Sequence, residues 1–410
     1  MKLNGKEKRW ILYDVGNSAF VLLVATIIPI YFNYLAGKAG LSDVDYLAYW
    51  GYAASICTVI VAILGPILGT IADTKGYKKT IFMISILIGT IACSLLGLMV
   101  QWMAFLIVFL IAKVGFSASL IFYDSMLSDI TDEERMDYVS SQGYAWGYIG
   151  SCVPFVLCLV IVLGSDPLGI RMETAMGIAF VLVAVWWLLM SLPLLKNYEQ
   201  KYYVEKKPHA IAQSFKRLGE TFKNMKEEKQ VFMFLLAFFF YIDGVYTIID
   251  MATAYGSALG LDSTGLLLAL LVTQIVAFPC AIIFGNLSYR IRTEKLIIVC
   301  IFAYLGIAIF AVFLKTQLQF WILAILVGMF QGGIQALSRS YFTKIIPEEH
   351  SGEYFGLMDI CGKGASFVGT TIVSIVSQLT GNISMGVGMI AILFCIGIVI
   401  FLKAVSMSRN

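Results

Sequence analysis

The chain has 410 residues, 60% of them hydrophobic and only 13% charged, where a soluble domain carries roughly 45–50% and about 25%. That composition excludes a water-soluble enzyme, and its apolar content suffices for about a dozen membrane helices at roughly 20 residues each. Long unbroken apolar runs, in place of ten-residue alternating segments, favour a helical bundle over a porin-type barrel.

In chain order, Lys2, Lys6, Lys8 and Arg9 precede Trp10 with no small-residue cleavage site after a short apolar core, so a retained first span is expected rather than a signal peptide. Apolar runs bounded by turn signals predict spans at 10–35, 45–72, 80–100, 102–127, 142–165, 173–195, 230–257, 263–287, 296–314, 317–341, 353–379 and 383–403. With the N-terminus inside, the outer loops hold only Lys38, Arg171 and Lys315. The positive-inside rule then predicts both termini in the cytoplasm and a multi-pass protein of the cell (plasma) membrane. The polar stretch 196–229 separates a first six-helix bundle (1–195) from a second (230–410). Within it Ile211, Phe215, Leu218, Phe222 and Met225, interleaved with Lys216, Arg217, Lys223 and Lys226, predict an amphipathic basic helix at the lipid surface. The eight cysteines fall in apolar runs without ligand spacing and are expected to be buried thiols. His209 and His350 are expected to be solvated. No metal or cofactor is expected.

The halves repeat one another. Gly69 and Gly285 end spans two and eight, and at an offset of 215 Asp124 matches Arg339, Ser125 matches Ser340, Glu133-Glu134 matches Glu348-Glu349 and Ser151 matches Ser366. Between spans two and three, Gly69-x-x-x-Asp73-x-x-Gly76-x-Lys78-Lys79 matches the loop pattern of major facilitator transporters. Gly69 permits close helix approach, Gly76 a tight turn, and Asp73 can face a helix N-terminus while Lys78 and Lys79 stay with anionic headgroups. In the second copy, Gly285 to Lys295, Tyr289 and Arg292 replace the aspartate and the second glycine. The expected fold is therefore an all-α integral membrane protein, twelve transmembrane helices in two pseudo-symmetric six-helix bundles, the major facilitator fold.

The blocks WILYDVGNSAF (Trp10 to Phe20), SSQGYAWGYIGS (Ser140 to Ser151), WWLLMSLP (Trp186 to Pro193), YIDGVYTIIDMA (Tyr241 to Ala252), QGGIQALSRS (Gln331 to Ser340) and EYFGLMD (Glu353 to Asp359) resemble the family of the autophagy-related vacuolar effluxer. The resemblance runs from span one to span eleven. It implies a secondary transporter, with amino-acid release as the activity of the fungal branch.

Ionisable groups within a bilayer are costly and should face a cavity or a partner. Asp14 lies in span one, Lys113 and Asp124 in four, Asp243 and Asp250 in seven, Arg339 in ten, Asp359 and Lys363 in eleven, whereas the interiors of spans three, six, nine and twelve have none. The resemblance implies that spans one, four, seven and ten line the cavity. Helical phase groups Asp14, Asn17 and Ser18; Asp243, Tyr246, Thr247 and Asp250; and Gln331, Gln335, Ser338 and Arg339. Asp243, Lys113 and Lys363 fall near the midplane. Asp14, Asn17, Lys113, Tyr241, Asp243, Tyr246, Thr247, Gln331, Gln335 and Lys363 are thus the candidates for substrate binding or coupling, with Asp243 a proton carrier or a cation anchor beside Lys113 or Lys363. Gly69, Asp73, Gly76, Lys78, Lys79, Asp124 and Arg339 are the candidates for gating, with an Asp124–Arg339 ion pair closing the inner end. Tyr144, Trp146 and Tyr148, with Gly143, Gly147 and Gly150, read mainly as packing on span five. Asp359 and Lys363, spaced i, i+4, can neutralise each other.

No P-loop, metalloprotease motif, nucleophile triad or dinucleotide turn occurs in the polar segments. The expectation is a non-enzymatic, monomeric transporter working by alternating access on small polar solutes. Amino-acid efflux, coupled to protons, is preferred over sugars or other neutral metabolites, and over a receptor or scaffold that moves nothing. Its partners would be solute, protons and lipid, with no nucleic acid.

Overall fold

The computed structural model describes residues 2–165, 167, 169–205 and 228–407. Twelve long helices cross the molecule: α1 (Gly5–Lys38, broken at Thr26), α2 (Asp43–Ala72), α3 (Tyr77–Leu95), α4 (Trp102–Ser125), α5 (Glu133–Leu163) and α6 (Met172–Asn197) in the first half. The second half comprises α7 (Lys229–Ala258), α8 (Ser263–Leu287), α9 (Thr293–Val312), α10 (Gln317–Ile345), α11 (Ser351–Thr380) and α12 (Ile383–Met407). All twelve contain stretches long and apolar enough to cross a membrane. Both ends of the chain lie on one face, called here the terminus face.

The helix ends follow local chemistry more closely than hydropathy. Asn4 and Glu7 form a capping box that starts α1 ahead of the apolar run at Trp10. Helix α5 starts nine residues before the expected span, at Glu133 instead of 142. Its polar first turns (Asp137, Ser140, Ser141, Gln142) are buried against protein, so they are helical without being lipid-compatible. Helices α2, α8 and α10 begin with side-chain caps from Ser42, Asp262 and Thr316.

Each half has its own apolar core, one centred on Trp10, Tyr13, Tyr123 and Trp187, the other on Phe234, Tyr241, Tyr304 and Phe394. In the first half α1 packs on α5 and α6; in the second α7 packs on α12 and α11. The halves meet where α2 lies along α11, α5 along α8 and α10, and α4 against α11. Helices α3, α6, α9 and α12, free of charge in their interiors, turn rows such as Ile84, Ile88 and Ile91 or Ile392, Ile396 and Val399 outward. The cysteines are more varied than expected: Cys395 is exposed and Cys152, Cys280 and Cys361 are half-buried, consistent with lipid-facing or inter-helix positions. The expected amphipathic linker helix and His209 lie outside the described residues.

Candidate functional site

Arg339 leaves its own half to enter the other. Its guanidinium, 3% exposed, donates from Nη1 to Asp124 (2.9 Å), from Nε to Ser140 Oγ (2.9 Å) and from Nη2 to the Ser140 carbonyl (2.9 Å), with Asp14 at 3.6 Å. It also lies over the rings of Trp10 (4.6 Å), Tyr123 (5.4 Å) and Tyr144 (4.4 Å). Arginine suits this place because its planar fork bonds in the plane while its faces stack. Asp14 is held in turn by Tyr123 Oη (2.8 Å) and Asn17 (3.3 Å). A Cβ at Gly143 would stand 2.5 Å from Asp14 and 3.1 Å from Arg339, so that glycine makes room for the pair. Gly143 packs as the reading of span five expected, whereas Tyr144 goes beyond packing by lying against the guanidinium of Arg339. Gly147 and Gly150 do pack closely on α1, and Trp146 meets Phe278 edge to face.

Beside it, α2 and α11 cross at backbone distance. Gly65 and Gly69 of α2 face Gly356 and Gly352 of α11, and a Cβ at Gly69 would lie 2.1 Å from the Gly352 carbonyl oxygen. Small residues four apart on both helices are what allows this approach. Asp73 sits at the end of α2 and accepts from the N–H groups of Gly352 (2.8 Å) and Glu353 (3.0 Å) in the first turn of α11, where donors lack helical partners and the dipole favours an anion. Gly76 takes φ +78°, the left-handed turn that starts α3. Lys79 is half-buried, its Nζ 3.4 Å from the Lys196 carbonyl. Lys78 departs from expectation. It is not among headgroups but 0% exposed, donating to Ser351 Oγ (2.9 Å) with Asp129 at 3.6 Å and Asp73 at 3.9 Å. Two buried carboxylates require a cation, and the lysine stem reaches inward to supply it.

The pseudo-symmetric contact, α8 against α5, is built differently. Gly285 approaches Ser141 and Tyr138, and Tyr289, in the aspartate's place, packs on Tyr138 at 5.9 Å. The carboxylate comes instead from Asp137, which accepts from Thr293 (2.6 Å), Ser340 (2.6 Å) and Lys344 (2.7 Å) across the halves. Asp129 and Asp137 were both missed by sequence reasoning, because acids in a polar turn look solvated. For the α2–α11 crossing the available signal was the four-residue spacing of Gly65 and Gly69 and of Gly352 and Gly356, of which only Gly69 was singled out. Asp129 also holds the segment after α6: Tyr198 Oη (2.5 Å) and the N–H groups of Lys201 and Tyr202 (2.9 Å each) all donate to it. Burial and this carboxylate push the Tyr198 phenol well above its ordinary pKa. Val204 pairs with Thr74 in a parallel bridge, and Gln200 bonds Gly76 and Ala72. Residues 198–205 are thus strapped to the first half.

The remaining candidates lie deeper. Asp243 is 0% exposed, about 21 Å into α7. Its Oδ1 accepts from the Gly369 N–H of α11 (3.0 Å) and Thr247 (3.2 Å), while Oδ2 has no partner among the described residues. Neither Lys113 nor Lys363 reaches it. The span-seven stripe is therefore split: Asp243 and Thr247 turn into α11, whereas Tyr246 is half-exposed and Asp250 exposed. A cation-anchor role for Asp243 does not fit a carboxylate so enclosed. Tyr241 is also internal, bonded to Ser338 (2.8 Å). Lys363 is held by both oxygens of Asp359 (2.5 and 2.6 Å). Lys113 is half-buried in α4. Gln331 lies against Tyr148 across the halves, and Gln335 is half-buried nearby.

His350 is half-buried where a solvated side chain was expected: with Asp73 and Glu353 it forms a group whose ligand atoms lie within 4.8 Å of one another. The helix N-terminus and Lys78 already supply positive charge there, so the geometry is that of a latch. The hydrogen bonds joining the halves cluster on the terminus face, which is closed.

The family described as vacuole effluxer Atg22 like matches residues 6–136 and 128–410. The MFS-type transporter YxiO of Bacillus subtilis is 44% identical over 400 residues, 96% of this chain and 94% of that protein. Autophagy-related protein 22 of Vanderwaltozyma polyspora is 21% identical over 472 residues, covering 96% and 89%. In fold, the chain is similar to a bacterial homologue of the iron transporter ferroportin in an outward-facing state (TM-score 0.73, 15% identity, 98% and 100% covered). It is also similar to the major facilitator transporter FucP in the outward conformation (TM-score 0.71, 12% identity, 98% and 97% covered). Family match, curated relatives and fold agree: the chain belongs to the Atg22-like family of major facilitator transporters, and it is a multi-pass membrane transporter rather than an enzyme.

Proposed function

We propose that this transporter exports amino acids from the cytoplasm across the plasma membrane, coupled to protons, by alternating access as a monomer with both termini cytoplasmic. In that orientation Arg339, Asp73 and Asp137 hold the cytoplasmic end shut. The observation that carries the substrate class is the presence of both charge signs on half-exposed side chains at mid-helix depth, Lys113 from one half and the Asp359–Lys363 pair from the other. Such a setting suits a zwitterion. Asp243 supports coupling, because a buried carboxyl with one bonded and one free oxygen, and no cation beside it, is a place to carry a proton. Its Gly369 contact links that proton to α11, a helix of the gate.

The test is counterflow and gradient-driven uptake of labelled amino acids in proteoliposomes, wild type against Asp243→Asn. Proton-coupled transport predicts saturable flux that rises at least tenfold with an imposed pH gradient and loses that dependence in the variant. Flux indifferent to the gradient sinks the coupling; absence of flux from correctly inserted protein sinks the amino-acid substrate. Sugars are the second reading, favoured by Tyr148, Gln331, Gln335 and Tyr246 along the same path, and the same vesicles loaded with labelled hexoses separate the two.

A further inference from the structure

Of the cations set deep within the described helices, Arg339 and Lys363 have carboxylate partners within 4 Å and Lys113 does not. Arg339 has Asp14 and Asp124, Lys363 has Asp359, Lys344 has Asp137, Lys78 has Asp73 and Asp129, and Arg135 has Glu7. Among the described residues Lys113 has no carboxylate within 4 Å; its recorded neighbour is the ring of Phe109 on its own helix, 5.8 Å from Nζ. It stands about 17 Å from either end of α4, which is the middle of the bilayer for a helix of that length. An ammonium there is expensive unless a counter-ion or water reaches it, and an unpaired one marks a functional position.

Its surroundings say what kind of counter-ion. Helices α2, α4 and α11 pack on one another where the halves meet, and Cys57 on α2 feels the charges of Lys113, Lys363 and Asp359, so the first half's lysine and the second half's ion pair face the same region between the halves. Asp359 is paired with Lys363 through both oxygens and, among the described residues, makes no ion pair with Lys113. One cation is left unmatched beside a self-neutralised pair. That balance accepts a single negative charge; a phosphate dianion would lack a second cation and the forked donors that bind it well.

We propose that Lys113 is an anion subsite, its ammonium receiving the carboxylate of a monoanionic or zwitterionic solute at the midplane. This rests on, and sharpens, the amino-acid reading above. The subsite belongs to the first half, so the solute's carboxylate stays with α4 while the second half rocks around it.

The full-length protein in lipid nanodiscs tests this by calorimetric binding, independently of transport. The probes are the twenty standard amino acids, their carboxamides and the corresponding amine-free carboxylates, against wild type, Lys113→Met, Lys113→Gln and Lys113→Arg. Wild type is expected to bind the acid at least tenfold more tightly than its amide. Lys113→Met and Lys113→Gln should bind both at the weak amide level, and Lys113→Arg should restore the preference. If amino acids bind but wild type shows no acid preference, or a folded Lys113→Met keeps it in full, the subsite is overturned while the amino-acid reading stands. Binding of amine-free carboxylates alone, lost with Lys113, keeps the subsite and removes the amino-acid reading. If wild type binds no carboxylate of either kind, both fall.

Discussion

Arg339 carries its charge out of α10 into a socket made by α1, α4 and α5. Removing one partner from a buried ion pair costs about 3–5 kcal/mol, and here the loss falls only on the state in which the halves are closed. Asp124→Asn and Arg339→Gln should therefore shift the population of that state by two decades or more. Arg339→Lys should behave almost as badly, because an ammonium has neither the fork for Ser140 nor the planar face for Trp10 and Tyr144. Spin labels at the exposed Lys75 and Glu349, on a cysteine-free background, report this as a longer distance across the terminus face; an unchanged distribution in all three variants would remove Arg339 from the gate. The Asp124–Arg339 pairing was legible in the sequence, since equivalent positions 215 residues apart approach each other across a pseudo-two-fold axis. The aromatic faces and Ser140 were not, because helical phase gives a direction but not what lies in it.

At the scale of elements, the spans were legible to within a turn from hydropathy except at the starts of α1 and α5 and at the end of α3, which stops at Leu95 instead of 100. The early starts of α1 and α5 depend on capping and on polar turns buried against protein, and hydropathy measures neither. The crossing of α2 and α11 depends on the absence of side chains, which leaves no signal except spacing. Gly69→Val or Gly352→Val should force these helices apart, since a Cβ at either position falls 2.1 to 2.6 Å from carbonyl oxygen of the other helix. Ser351, fully buried beside Lys78, offers the readout. A cysteine there should be protected from an impermeant thiol reagent in the parent protein and labelled at least tenfold faster in either valine variant. Equal protection would mean that the gate closes without this crossing.

Across the whole molecule, the two-half design could be read from the repetition at an offset of 215, and the outward apolar rows of α3, α6, α9 and α12 agree with the absence of charge from their interiors. The strap formed by residues 198–205 could not be read, because its bonds to Asp129, Thr74 and Gly76 join segments far apart in the chain. The strap predicts where the chain tolerates a break. Co-expressed fragments split after Glu205 should assemble and transport, whereas a split after Asn197 should lose most activity by freeing the strap from the first half; equal activity of the two would show that the strap is dispensable. The partners of Lys78 and Arg339 carry a last consequence. When the halves separate, Lys78 surrenders only Ser351 and keeps Asp73 and Asp129 beside it, so that corner opens without stranding an ion. Arg339 loses every one of its counter-charges at once, and so do Asp14 and Asp124. Opening therefore asks for the rehydration of the Arg339 guanidinium and of the Lys344 ammonium, whose partner Asp137 also lies in the other half, whereas the α2–α11 edge parts without separating opposite charges.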